Sequence, residues 1–137
     1  MSVVDVPAVI TDTHPLIFHA AGKKVLGKRA AAHFFACERR EAITYVPAAV
    51  VWETSLLARA GRINLKRSAR QFFEDLFSNP AFQPLDLDHP QIFLADEYRP
   101  NEDPFDALIC AAALHLGLPL ITRDGDIIES GLVKVVW

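Results

Sequence analysis

The chain has 137 residues, 51% apolar and 23% charged, with a formal net charge of −3. Such a length suits one domain over residues 1–137, able to bury a core without staples. The balance excludes a disordered chain, and no window nears the roughly 18 apolar residues of a membrane span.

The N-terminal stretch carries Asp5, no basic cluster and an apolar run too short for a leader, so a cytoplasmic location is expected. Cys37 and Cys110 lie in apolar surroundings without a CxxC pattern, and both are expected as buried free thiols.

In chain order, AVIT at 8–11 predicts a short buried strand, with a helix from about Pro15. A second helix is expected over 28–40. AITYV at 42–46 is the next strand, rich in β-branched and aromatic residues. Pro47 suits the first turn of a helix that ends near Gly61. A helix over 65–77, a weak strand over 83–87 and a short helix over 90–98 follow. Asp103-Pro104 opens the strongest helical pattern, DPFDALICAAALHLG, which Gly117 stops. Strands are expected over 118–122 and 133–136. This alternation implies an α/β fold with a parallel sheet covered on both faces, where ligands bind beyond the carboxyl ends of the strands.

Four acids stand inside or at the edge of apolar runs: Asp12, Glu53, Asp106 and Asp124. Glu53 has Ala49, Val50, Leu56 and Leu57 as helical neighbours three and four residues away, so it is expected on the buried stripe of its helix. A buried carboxylate is costly without a partner. Each acid also has a plain structural use. Asp12 could cap the following helix, Glu53 could pair with a buried cation, Asp106 could complement a helix dipole, and Asp124 could serve the turn in RDGD. Their joint placement suggests a converging acidic pocket. Two carboxylates about 4 Å apart repel by about 4 kcal/mol at an effective dielectric near 20, so such a pocket would hold protons, spread or bind a cation. Oxygen ligands without thiolates favour Mg²⁺ or Mn²⁺ over zinc, and such an ion suits hydrolysis of a phosphodiester by water. Asp103 directly precedes Pro104 and reads as an N-cap; Asp126 reads as turn or support.

Charge is unevenly spread. Residues 1–70 carry 11 Lys/Arg against 5 Asp/Glu, and residues 71–137 carry 3 against 12. Arg59, Arg62, Lys66 and Arg67 form an acid-free stretch and are candidates for gripping a polyanion. Ordinary solvated helix faces are the competing reading. His14, beside Asp12, could touch a phosphate or bond locally. Phe34, Phe35, Trp52, Phe72 and Phe73 are expected in the core, with lining of a groove as the competing reading for a minority of them.

Four segments in order match a known family: ITDTHPLIF at 10–18, VWETSLLARAGRINL at 51–65, DPFDALICAAAL at 103–114 and LPLITRDGDI at 118–127. With the final Trp137, the chain resembles PIN-domain proteins, and most closely the VapC-type toxins of bacterial toxin–antitoxin pairs. The resemblance implies a three-layer α/β/α sandwich with a central parallel sheet. It implies an endoribonuclease dependent on Mg²⁺ or Mn²⁺, restrained by a cognate VapB-type antitoxin, usually as a toxin homodimer. By motif position the family's core acids fall on Asp12, Glu53, Asp106 and Asp124, with Thr122 in support and Asp103 and Asp126 auxiliary. The chain departs from many relatives in having Asn101-Glu102 where they have His-Arg, and Ala107 where they have Arg.

The alternative is a catalytically silent PIN-like binding module regulated by a partner; the four intact acids argue against it. A receiver domain would want paired acids after the first strand and a late lysine, and only Lys134 is late. An Asp-nucleophile phosphatase would want Asp-x-Asp where this chain has Asp12-Thr13-His14. No GxxxxGK[ST] supports a P-loop.

Overall fold

The computed structural model describes residues 6–137, so the residues read above for a leader, and the first five of the expected domain, lie outside it. Among the described residues the strands are β1 (Ala8–Thr11), β2 (Ile43–Pro47), β3 (Phe82–Leu85), β4 (Leu120–Ile121) and β5 (Val135–Val136). The helices are α1 (Thr13–Ala20), α2 (Lys28–Glu38), α3 (Ala48–Arg59), α4 (Ala69–Phe77), α5 (His89–Glu97), α6 (Pro104–Leu116) and α7 (Gly125–Ser130). The strands form one parallel sheet in the order β3-β2-β1-β4-β5. With helices flanking it, this is the expected α/β/α sandwich.

The order dictates where a site can form. The chain steps outward from β1 to β2 and β3, then returns to the other side of β1 to lay down β4 and β5. The connections leaving β1 and β4 therefore part in opposite directions, which opens a crevice at the carboxyl ends of those two strands. Ile10 faces Leu120 and Thr11 faces Ile121 in register. The Asp12 N–H extends the pairing by donating to the Ile121 carbonyl at 2.9 Å. This register fixes Asp12 and the residues after Ile121 on the same rim.

The core is continuous across the sheet. Ile10, Val46, Leu120 and Ile121 of the strands pack with Leu16, Phe34, Val50, Ile109 and Cys110 of the helices, all buried. Both cysteines are buried and free, as expected. Phe34, Phe72 and Phe73 are buried, whereas Phe35 and Trp52 are each 58% exposed. In α2, consecutive positions lie about 100° apart, and with Phe34 on the core face Phe35 falls outside it.

Several boundaries differ from expectation for local reasons. α1 begins at Thr13 because Asp12 caps it, and Pro15 sits within the first turn, where no backbone donor is needed. Pro47 ends β2 and stands at the N-cap of α3 rather than within its first turn. α4 starts at Ala69, after Ser68 accepts the Gln71 N–H. The sequence reading had no helix over α7; there Asp124 is an N-cap, accepting the Ile127 N–H at 3.0 Å. α6 ends as expected at Gly117, whose φ of +64° is left-handed. No helix among the described residues is long and apolar enough to cross a membrane.

Candidate metal centre at the carboxyl edge of the sheet

Two buried threonines organise the rim. Thr122 follows β4, and its hydroxyl donates to Asp12 Oδ2 at 2.7 Å while accepting the Asp124 N–H at 3.0 Å. One side chain thus ties the acid after β1 to the acid after β4. Thr13, in the first turn of α1, donates its hydroxyl to Glu53 Oε1 at 2.5 Å. Its N–H donates to Asp12 Oδ1 at 2.7 Å. Thr13 therefore links Asp12 to α3. Both threonines are fully buried, while the carboxylates they hold stay partly open at the rim.

The fourth acid arrives on α6. Asp103 caps this helix, accepting the Phe105 and Asp106 N–H groups, which sets Asp106 in the first turn. Asn101 then bridges two carboxylates: its amide donates to Asp106 Oδ2 at 2.9 Å and to Asp126 Oδ2 at 3.1 Å. Its own oxygen accepts the Asp103 N–H at 2.8 Å. Asp126 thereby reaches the rim through Asn101.

Glu53 stands differently from the sequence reading. The buried face of α3 is Ala49, Val50 and Thr54, while Glu53 is half-buried at its edge and Leu56 is exposed. Its partner is the Thr13 hydroxyl rather than a buried cation.

The electrostatics show the acids acting on one another. Burial raises the Asp12 carboxyl above its usual range; the Thr122 and Thr13 bonds oppose the rise, and Asp124 adds to it. Burial likewise raises Glu53, opposed by Thr13 and reinforced by Asp12 and Asp103. Burial pushes Asp106 up to about 6, with Asn101 opposing and Asp103, Asp12 and Asp124 adding to the rise. Cys110, one turn further along α6, is pushed up to about 12 by burial and then by Asp106, Asp12 and Asp124. Its side chain is fully buried in the core.

The arrangement is an open one. Among the described residues, no three His, Cys, Asp or Glu side chains close on a common point at ligand distance. The donors at this rim are carboxylate oxygens, the ligand type that Mg²⁺ takes one or two at a time while keeping several waters. Beside Asp12 and Asp124 lies a cleft of about 260 Å³, also lined by His14, Pro15, Phe18 and Arg123.

The basic stretch is elsewhere. α3 descends from the rim, and Arg59 lies six residues beyond Glu53, about 9 Å along the helix axis. Lys66 and Arg67 line a separate cleft with Ala20 and Ala21, at the far end of α1. Arg67 also pairs with Asp75 at 3.2 Å.

The PIN domain profile matches residues 9–131. The chain belongs to the PIN domain family. PIN domains are nucleases, which places the chain among hydrolases of nucleic acids. Solved structures agree in fold. A chain of VapBC2 from Rickettsia felis, bound to a promoter DNA fragment, superposes with a TM-score of 0.67 at 12% identity, covering 93% of this chain and 96% of that one. FitAcB from Neisseria gonorrhoeae gives 0.64 at 22% identity, covering 93% and 95%. DNA-bound VapBC from Salmonella typhimurium gives 0.64 at 15% identity, covering 96% and 97%. Curated proteins give no significant sequence match.

Two residues of this PIN rim escaped the sequence reading. Thr13 was passed over although its position next to Asp12 offered a hydroxyl in the first turn. Asn101 was weighed only as a lost basic residue; its amide, which can donate to two acids at once, was the available signal.

Proposed function

We propose that this PIN domain is a metal-dependent endoribonuclease toxin of the VapC type, hydrolysing RNA phosphodiester bonds. The observation that carries the reading is the tie through Thr122 and Thr13 that brings Asp12, Asp124 and Glu53 from three segments to the β1–β4 crevice. Asp12, Glu53, Asp106 and Asp124 would hold Mg²⁺ or Mn²⁺. When bound, the ion supplies an acidified water and charge compensation at the phosphate. Thr122 and Thr13 aim the carboxylates, Asn101 steadies Asp106, and Asp103 and Asp126 stand behind them. Arg59, Arg62, Lys66 and Arg67 serve RNA flanking the cut, Lys66 and Arg67 lining a cleft separate from that of Asp12 and Asp124.

The partner follows from the same reading. The VapBC and FitAcB neighbours support a VapB-type antitoxin as partner, and a toxin homodimer in a cytoplasmic setting goes with the VapC reading itself. The exposed Trp52 and Leu56, four residues apart on α3, suit an apolar contact of that kind.

The test is cleavage of a mixed pool of structured RNA by the purified chain, free of antitoxin, with Mg²⁺, Mn²⁺ or EDTA. Metal-dependent cutting that is lost in Asp12→Asn and Asp124→Asn, both still folded, is the expected result. Undiminished cutting by both variants would remove the assigned site. No cutting by the wild type under any condition would favour the catalytically silent binding module.

A further inference from the structure

Arg123 stands between the two acids' rim and the open cleft, yet no acid claims it. It follows Thr122 directly, lines the cleft with Asp12 and Asp124, and is exposed. Among the described residues no carboxylate forms an ion pair with it. Its guanidinium instead lies over two aromatic rings, 5.3 Å from the centroid of Phe18 and 5.7 Å from that of Trp137. Phe18 carries a second cation, the Lys23 ammonium at 5.8 Å. Cation–π contacts hold the planar group in place without consuming its N–H donors. An arginine so held, beside carboxylates it does not neutralise, is prepared for an incoming anion with paired oxygens.

We infer that Arg123 is a phosphate-binding residue of this site, gripping the RNA backbone next to the bond that is cut, with Phe18 and Trp137 as its supports. This rests on the nuclease reading and gives it a substrate contact that the acids, being anionic, cannot provide. Lys66 and Arg67 line a different cleft and do not supply it there. Phe18 and His14, whose rings lie 6.0 Å apart, line the same cleft.

The experiment measures binding of a short, fluorescein-labelled, single-stranded oligoribonucleotide across a range of salt, with Ca²⁺ present. Trp137 emission is a second readout, because a phosphate drawing on Arg123 changes the cation packed over that indole. Arg123→Ala is expected to weaken binding about tenfold, the loss of a charge-assisted contact, and to abolish the emission change. It should also flatten the slope of log affinity against log salt by about 0.7, the value for one phosphate contact on a single strand. Arg123→Lys should keep the slope and lose part of the affinity. Phe18→Leu should weaken binding with the slope unchanged, since the charge stays while its support goes. Wild-type slope and affinity in Arg123→Ala would overturn the inference, and cleavage by that variant in Mg²⁺ would leave the nuclease reading standing. Equal loss in the Ala and Lys variants at unchanged slope would also overturn it, marking a structural role. A wild-type chain that neither binds nor cuts RNA would overturn the inference together with the nuclease reading.

Discussion

Asp106→Asn should make the metal-free protein more stable, while removing part of what a divalent cation can add. Burial, with Asp103, Asp12 and Asp124 nearby, moves the Asp106 carboxyl from 3.8 to about 6. A carboxyl whose folded value lies above its unfolded one binds its proton more tightly when folded. The folded state is thus favoured at low pH, and that advantage is lost as pH rises from about 4 through about 6. Two units correspond to about 3 kcal/mol if taken at face value. Asp106 is only half-buried, and solvent screening reduces the usable figure to about 1 kcal/mol. Asparagine removes the charge and keeps an oxygen able to accept the Asn101 bond. At pH 7.5 in EDTA the variant should therefore melt about 3–5 °C above the wild type. Near pH 4 the difference should largely vanish, because the folded-state carboxyl is then neutral, as asparagine is. Adding Mg²⁺ should raise the wild-type midpoint, since any ligand of the folded state does so, and should raise that of the variant less. The assay is a set of melts across pH with and without metal. A variant no more stable than wild type at pH 7.5, or a difference independent of pH, would refute the electrostatic account.

Thr122→Val keeps the shape of a fully buried side chain but leaves the Asp12 carboxylate and the Asp124 N–H without their partner. A loss of about 1–3 kcal/mol in denaturant unfolding is expected. Gly27→Ala should cost about 1–3 kcal/mol by overpacking, because a Cβ there would meet the Trp137 backbone at 2.5 Å. That backbone cannot simply withdraw: the Trp137 carbonyl accepts the Arg29 N–H at 2.9 Å and the Ala30 N–H at 3.2 Å, where Gly27 offers α2 no capping side chain. An unchanged melting midpoint would mean that the two ends separate freely. Neutralising Arg59 and Arg62 together should lower the salt slope for long RNA, measured by filter binding; an unaltered slope would move the flanking path to another face.

The fold was legible because its signals are periodic and local. AVIT, AITYV and DPFDALICAAAL each commit to one element, and their β–α order leaves a parallel sheet as the economical solution. α7 was not legible: six residues containing Gly125 carry little periodicity, and only Asp124 with the apolar pair Ile127 and Ile128 marked its start. The four acids could be picked out because each breaks an apolar run. What holds them was hidden, since it depends on pairing across the chain. Thr122 and Asp12 are 110 residues apart, and Thr13 and Glu53 are 40 apart. Trp52 misled for a related reason: its size suggested burial, but the helix turns Ala49, Val50 and Thr54 inward and leaves it exposed.

The same scaffold explains why the site sits at the sheet's switch point. Each acid receives a neutral donor: Asp12 from Thr122 and Thr13, Glu53 from Thr13, Asp106 from Asn101, and Asp124 caps α7. These bonds orient the carboxylates and partly offset their desolvation, but a hydroxyl or amide supplies no net positive charge to cancel their repulsion. Arginine is kept off them, with Arg123 held on aromatic faces. A direct Arg–carboxylate pair would stabilise the fold and close the site. Leaving the acids oriented but unneutralised makes them costly to the fold and, on the proposed reading, available to a cation, with Arg123 left available to a phosphate. If the acids hold the metal as proposed, instability and function have one origin, and substitutions that relieve the first should erode the second.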